Sequence, residues 1–237
     1  MNLAIAIPRF AKNAAITTLV DPPVAMARNL AAPKGIRGRA IRIESLQPCN
    51  HLPMNRPHLD YPDPDLTDGV VILRRWAVDD VDCVYEASQD PMIPQGTTVP
   101  DVFTPERGRA FIERQWGRQT NAEGLSLAIA DAADNRARGL VVLMHRKTPG
   151  TVGIGYWVVP NARRKRRATR AVRLVSSWAT MVRGLSRLEA FTEPDHVGSR
   201  RVLAASGFQR EGVLRSYFLI GERRADAVMY SLLPTDY

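Results

Sequence analysis

The chain carries the sequence GIGYWVVPNARRKRRATRA at residues 153–171, and this stretch decides the fold class. Its first part is rich in branched and aromatic residues, which favour a β-strand, and Pro160 ends that strand. Five consecutive cations follow at residues 163–167. An apolar stripe at helical spacing comes next and consists of Ala168, Ala171, Val172, Val175, Trp178, Ala179 and Val182. The pattern predicts a strand, a basic loop and a helix in that order.

The five cations oppose the helix that they precede. Positive charge at a helix N-terminus acts against the helix dipole and costs about 0.3–1 kcal/mol for each exposed residue. An anion among the cations would reverse this effect, because the free backbone N–H groups at the same end already form an anion site. We interpret the loop as a phosphate cradle, and a solvated basic turn is the alternative.

Length and charge narrow the class of protein. With 237 residues, the chain can hold one sizeable domain with a tail, or two small domains. Residues 68–134 carry 12 acids and 6 bases, whereas residues 163–201 carry 11 bases and 3 acids. This asymmetry suits an anionic ligand on one side and a cationic one elsewhere. It argues against a nucleic-acid-binding protein, whose bases would spread along a whole face with exposed aromatic residues.

Cysteine and histidine spacing gives no indication of a metal site. The two cysteines, Cys49 and Cys83, form no CxxC-like motif, and a reduced cytoplasmic chain is the simpler interpretation. The four histidines are scattered, so no metal is expected. No window approaches the roughly 18 consecutive apolar residues of a membrane helix, so no membrane association is expected.

The chain divides near residue 66. Residues 1–66 hold 9 of the 17 prolines and little branched or aromatic surface, which predicts a proline-rich, basic and largely disordered extension. Its acid-poor composition overlaps with that of organellar transit peptides, and a plainer alternative is that translation begins at Met54. Residues 67–237 form the predicted domain.

Within this domain, strands alternate with helices without a strict βαβ repeat. Strands are predicted at 70–73, 125–130, 139–145, 151–158 and 187–192, followed by a hairpin of 208–219 and 226–233 around Gly221. Helices are predicted at 79–88, 104–119 and 168–183, and another begins at Asp195 as N-cap and is closed by Gly207. The expected fold class is α/β (mixed α+β), with a mixed sheet flanked by helices.

The order of these motifs resembles the GNAT acetyltransferases. The matching segments are 155–160, 168–169 and 187–190 for the acetyl-CoA-binding core, and 194–203 with 206–208 for the motif after it. Segments 211–215 and 226–233 match the ribosomal-protein N-terminal acetyltransferase branch. Several motifs in the right order make the resemblance specific, and it covers about residues 68–233. It implies a splayed mixed sheet with acetyl-CoA, the co-substrate, between the fourth and fifth strands.

The resemblance also implies which residues bind acetyl-CoA. They are Trp157, Val158 and Val159 through the strand backbone, then Arg163, Arg164, Lys165, Arg166, Arg167 and Ala168 in the loop, and Thr169 and His196. Arg164 and Arg166 stand where the family has glycine, and His196 where it usually has asparagine. A side chain in left-handed geometry costs about 1–2 kcal/mol, whereas a charge-assisted bond to phosphate returns about 1.5–3 kcal/mol. The arginines could therefore rebuild the site, or fill the volume that the phosphates need.

Three residues are candidates for the chemistry. Ser199 matches the family serine near the thioester sulfur and would give a proton to the departing thiolate; the alternative is a helix-surface hydroxyl bonded to its own backbone. Glu189 and Glu193 lie on one face of a strand and could accept the amine proton, or could pair with Arg187 or Arg200.

An acidic rim would attract a cationic acceptor and consists of Glu86, Asp90, Asp101 and Glu106.

The leading hypothesis is an acetyl-CoA-dependent N-acetyltransferase. A primary amine, either a protein N-terminus or a small amine, would attack the thioester directly, since no cysteine lies in the motif region to carry an acyl group. The alternative hypothesis is a catalytically degenerate domain that binds an acidic partner or RNA through residues 163–167. A homodimer is left open.

Overall fold

The computed structural model describes residues 58–220 and 222–237. Over these residues the strands are β1 (Leu66–Thr67), β2 (Val71–Arg74), β3 (Gly124–Asp131), β4 (Ala137–His145), β5 (Thr151–Val158), β6 (Arg187–Thr192), β7 (Gln209–Ile220) and β8 (Arg223–Leu232). The helices are α1 (Val81–Ser88), α2 (Ile93–Gly96), α3 (Pro105–Thr120), α4 (Arg167–Ser177) and α5 (Val197–Ala205). The predicted alternation of strands and helices is therefore confirmed, with the one-turn helix α2 added between α1 and α3.

The strands form one mixed sheet that opens between β5 and β6. Its order is β1-β2-β3-β4-β5-β6-β8-β7, and β5 with β6 is its parallel pair. This pairing covers three positions, from Thr151 opposite Arg187 to Gly153 opposite Glu189. Beyond Gly153 the two strands separate, which leaves an opening in the sheet. The predicted splayed mixed sheet is confirmed.

Helices cover both faces of the sheet at this opening. The Trp157 ring lies 6.4 Å from that of Phe111 on α3, measured between ring centroids. The neighbouring Tyr156 hydroxyl lies 3.0 Å from the Ser199 hydroxyl on α5. Because successive strand residues point to opposite faces, α3 and α5 lie on opposite sides of β5. Every residue of β5 is accordingly buried.

Helix α4 buries most of its predicted stripe. Ala171, Val172 and Val175 are buried, but Val182 is 68% exposed, so its predicted burial was wrong. The cause is a wide π turn at Trp178–Val182 that follows α4. There the Arg183 N–H donates to the Trp178 carbonyl five residues earlier, and the wider turn moves Val182 out of phase with the apolar stripe.

The domain reaches further toward the N-terminus than the predicted boundary at residue 67. Leu59 is buried in the core, and β1 pairs with β2 through Leu66 opposite Leu73. One apolar side chain and a two-residue strand leave no periodic pattern in a sequence. Residues 1–57, the rest of the predicted extension, and Gly221 lie outside the described residues. Within the described part of the chain, no helix combines the length and apolar character needed to cross a membrane.

Candidate active site

The loop between β5 and α4 has a left-handed backbone at two arginines, although arginine disfavours this conformation. Arg164 and Arg166 have φ angles of 62° and 58°, which lie in the left-handed region. Glycine adopts this region freely, whereas a residue with a Cβ atom pays about 1–2 kcal/mol. The loop therefore keeps glycine-like geometry at both substituted positions.

Two of the five loop cations are engaged in the fold. Arg163 donates to the carboxylate of Asp90 (2.8 Å) and to the Val158 carbonyl (2.9 Å). Arg167 donates to the carboxylate of Asp131 (2.8 Å), and sequence reasoning had given that residue no role. The loop's outer cations, which we define as Arg164, Lys165 and Arg166, are exposed. Within residues 58–220 and 222–237 they have no carboxylate partner, so their charge is available to an anion.

A groove of about 430 Å³ lies against this loop. It is bordered by the loop, by Ala168 and Thr169 at the start of α4, and by Gly198 and Arg201 on α5. The arginine side chains thus leave the space open. This geometry disfavours the alternative in which they fill the phosphate volume.

The start of α4 offers backbone donors to the groove. The first backbone bond within α4 runs from the Arg170 N–H to the Arg166 carbonyl (3.0 Å). The N–H groups of residues 167–169 therefore have no helical acceptor. Ala168 and Thr169 also line the groove, so free donors and a positive dipole end meet there.

Strand β5 presents alternate amides to the opening. The Val159 N–H donates to the Arg138 carbonyl (2.9 Å), in continuation of the pairing with β4. Alternation in an antiparallel pair then directs the Trp157 N–H to β4 and the Val158 N–H to the opening. The Val159 carbonyl accepts from Ala162, and its side chain is fully buried. Of the three predicted backbone contacts, only Val158 offers a donor to a ligand in the opening.

His196 caps α5 in place of the predicted Asp195, whose assignment as N-cap was wrong. The Ser199 N–H donates to His196 Nδ1 (3.0 Å), so the ring proton is assigned to Nε2. Nε2 is buried and has no hydrogen-bond partner among the described residues. Burial lowers the pKa of His196, which favours the neutral ring. A buried donor without an acceptor costs about 1–3 kcal/mol, which a ligand oxygen would offset.

Ser199 lies on the first turn of α5 and is fully buried. Its hydroxyl is 3.0 Å from the Tyr156 hydroxyl, and that tyrosine also donates to the Ser199 carbonyl (3.2 Å). Burial raises the pKa of Tyr156 far above its ordinary value, so its proton is retained at neutral pH. Ser199 is therefore part of a buried hydroxyl pair, and the alternative of a helix-surface hydroxyl was wrong.

The structure separates the two candidate glutamates. Glu189 lies at the closed end of the opening, where Arg187 donates to it (2.9 Å) and Arg146 lies 3.7 Å away. Glu193 follows the last residue of β6 at the open end, and Arg223 is its ion-pair partner (2.6 Å). Of the two alternative pairings, the one with Arg187 forms at Glu189, whereas Arg200 donates to the Pro194 carbonyl and pairs with neither glutamate.

The arginine that holds Glu189 also holds Glu211. Both Arg187 (2.8 Å) and the Ser231 hydroxyl (2.6 Å) donate to the carboxylate of Glu211. The hydrogen bond from Arg187 is the main reason that the pKa of Glu211 falls to about 2 from an ordinary 4.5. Because the folded pKa is the lower one, this carboxylate stabilises the fold above about pH 4.5. That stabilisation is lost as pH falls toward about 2.

We therefore expect Glu211→Gln to reduce the acid sensitivity of the fold. Between about pH 6 and about pH 3, the thermal unfolding midpoint of the variant should fall less than that of the parent. The exposed Glu222→Gln is the control and should behave like the parent. Equal acid sensitivity of the Glu211→Gln variant and the parent would contradict the assignment.

Two members of the predicted acidic rim are engaged in the fold, and the other two are exposed. Asp90 is 6% exposed and holds Arg163, while Glu86 accepts a hydrogen bond from Asn161 (2.7 Å). Both carboxylates therefore support the segment after β5. Asp101 and Glu106 are exposed and remain candidates for contact with a cationic acceptor.

The fold and the groove agree with a family match. Residues 71–209 match the acetyltransferase (GNAT) domain, and the chain therefore belongs to the GNAT acetyltransferase family. This confirms the resemblance inferred from the motifs.

The chain is similar in sequence to one curated relative and similar in fold to two solved structures. The uncharacterized N-acetyltransferase YnaD of Bacillus subtilis is 26% identical over 73% of this chain and 98% of its own length. RimJ of Mycobacterium smegmatis, solved with CoA-disulfide, has a TM-score of 0.63 at 20% identity over 73% of this chain and 86% of its own. The microcin C7 self-immunity acetyltransferase MccE, solved with acetyl-CoA and AMP, has a TM-score of 0.64 at 20% identity over 72% and 99%.

Proposed function

We propose that this protein is an N-acetyltransferase that transfers an acetyl group from acetyl-CoA to a primary amine by direct attack. The observation that carries the proposal is the loop backbone, which is left-handed at Arg164 and Arg166 beside an open groove. Free helix donors, Arg164 and Arg166 border this groove, where they would attract an anion. The solved complex of MccE with acetyl-CoA supports the choice of donor.

The described residues fit this co-substrate. The N–H groups of Ala168 and Thr169 would hold the diphosphate, and the charge of the outer cations would attract it from a distance. The Val158 N–H would bind the pantetheine arm or the thioester carbonyl, and polarisation of that carbonyl stabilises the charge that develops on its oxygen. His196 Nε2 would donate to the co-substrate as well, since it is buried and has no partner among the described residues.

The chemistry needs one proton donor and one acceptor. The amine nitrogen bonds to the acetyl carbon, the carbon–sulfur bond breaks, and the thiolate takes a proton. Ser199 would give this proton, with the Tyr156 hydroxyl beside it to replenish it. Glu193 would receive the amine proton, because it lies at the open end with one arginine partner, whereas two arginines hold Glu189.

A thiol-release assay tests the proposed reaction. Acetyl-CoA is mixed with the protein and a panel of small amines and short peptides that have free or acetylated N-termini. We expect acetyl-CoA to release CoA in the presence of at least one free amine. The acetylated counterpart of that amine should give no release above background. Binding of acetyl-CoA without release for any amine would contradict the proposed activity.

The loop strain gives a prediction on stability. Replacing Arg164 and Arg166 together with glycine should raise the free energy of unfolding by about 1–3 kcal/mol, because the left-handed strain at both positions disappears. Affinity for acetyl-CoA should be kept or improved, since the backbone donors remain. Chemical denaturation and calorimetric titration measure the two quantities.

A matched change at Lys165 serves as the control. Lys165→Gly removes one outer cation, but Lys165 is not among the residues with positive φ, so no gain in stability is expected. A large loss of affinity in the double glycine variant would mean that the arginine side chains themselves bind the phosphates.

A further inference from the structure

We propose that Asp90 and Asp131 are positioning residues that hold residues 163–167, the phosphate loop, in their left-handed shape. Neither touches the groove, and each acts through the arginine at one end of the loop. Since the loop binds a diphosphate only if the proposed function holds, this role depends on that function.

Asp90 fixes the first end of the loop. One of its oxygens accepts from the backbone N–H groups of Met92 (2.9 Å) and Ile93 (3.0 Å). The other accepts from Arg163 (2.8 Å), which also donates to the Val158 carbonyl (2.9 Å). The loop is thereby tied both to the segment after α1 and to the end of β5.

Asp131 fixes the second end. It is the last residue of β3, and its side chain is 12% exposed. Arg167 donates to both of its oxygens, and Arg138 donates to one of them (2.9 Å). Arg167 also donates to the Ala162 carbonyl (3.1 Å). Both partners are charged, so these bonds are stronger than bonds between neutral groups.

The need for two anchors follows from the residues between them. Only positions 164–166 are unanchored, and two of these three are arginines at positive φ. A loop without anchors would populate other backbone conformations, because arginine prefers negative φ. The apparent affinity for a ligand falls in proportion to the fraction of the binding-competent conformation. The buried carboxylates therefore keep the left-handed backbone populated at positions 164 and 166, a conformation that glycine adopts without such support.

The first test is the loss of each carboxylate. Asp90→Asn and Asp131→Asn keep the side-chain shape but place an amide against the guanidinium. We expect each to weaken acetyl-CoA binding at least about tenfold by calorimetry, through the lower competent fraction. At saturating acetyl-CoA, kcat should stay within about threefold of the parent.

Asp134→Asn is the matched control. Asp134 is more exposed than Asp131, with 44% of its side chain accessible, and it also pairs with Arg138 (2.8 Å), but it does not contact the loop arginines. The substitution removes the same charge from the same neighbourhood. We expect an affinity within about twofold of the parent, since long-range effects of an exposed charge are screened.

The decisive test is rescue by glycine. In the Arg164→Gly/Arg166→Gly background the loop adopts positive φ without strain, so each aspartate substitution should lower affinity less than about threefold. The non-additivity of this cycle measures the coupling. A supporting role in the general fold would give the same loss in both backgrounds, and that result would overturn the proposal.

The outcomes separate the two proposals. If the parent binds no acetyl-CoA, the proposed function fails. If the parent binds and both aspartate variants bind equally well, only the positioning role fails. Far-ultraviolet circular dichroism and thermal melts check folding. If Asp131→Asn does not fold, Asp90→Asn and its glycine-background partner decide the question alone.

Discussion

Replacing Thr169 with glutamate should weaken acetyl-CoA binding at least about 100-fold while leaving the protein as stable as the parent or more stable. Thr169 is the third residue of α4 and lines the groove. A carboxylate there competes with the diphosphate for the same N–H groups and outer cations. A 100-fold loss corresponds to about 2.7 kcal/mol, within the range of one lost charge-assisted contact plus repulsion.

The same charge favours the helix. A negative residue in the first turn is stabilised by about 0.3–1 kcal/mol through the helix dipole. Stability and affinity are therefore predicted to move in opposite directions, which a misfolded variant would not show. Glutamine has the size of glutamate without its charge. The Thr169→Gln variant should therefore lose less than about fivefold in affinity, since it brings no negative charge to the helix end. Equal affinities of the glutamate and glutamine variants would contradict an anion site at this helix end.

Ser199→Ala should lower kcat about 100-fold and leave the dissociation constant of acetyl-CoA within about twofold. Proton transfer by a positioned side chain contributes about 10²–10⁴ in rate. The substitution should be tolerated by the fold, because Tyr156 still donates to the carbonyl of residue 199 (3.2 Å). Single-turnover kinetics and calorimetry measure the two quantities. A variant with the kcat of the parent would exclude Ser199 as the proton donor.

Tyr156→Phe is the companion variant. It leaves the Ser199 hydroxyl without its buried partner, at a cost of about 1–3 kcal/mol in the free energy of unfolding. We expect a smaller loss in kcat than for Ser199→Ala, because the serine proton remains. A larger loss would make the tyrosine the direct donor.

Much of the fold could be predicted because its signals are local. The strand Thr151–Val158 ends before Pro160, and Gly207 follows α5 with a φ of 88°, as a C-terminal glycine does. The basic loop was also predicted to lie between a strand and a helix. Each of these features depends on residues close together in the chain.

The rest depends on contacts that leave no local trace. Asp90 and Arg163 are 73 positions apart, and Asp131 and Arg167 are 36 apart. Asp131 ends a strand before a turn, where an aspartate is common for local reasons alone. The cap of α5 falls on His196 because its Nδ1 reaches the Ser199 N–H, although aspartate is the more frequent cap. The π turn that exposes Val182 has no counterpart in the apolar period.

Calorimetric titration of acetyl-CoA into the full chain tests the central claim most directly. The loop geometry predicts saturable binding of one molecule per chain, with a dissociation constant on the order of micromolar. Parallel titration with RNA across a salt series should give only weak, strongly salt-dependent binding. Absence of saturable acetyl-CoA binding, with tight RNA binding in its place, would contradict an acetyl-CoA site in this groove.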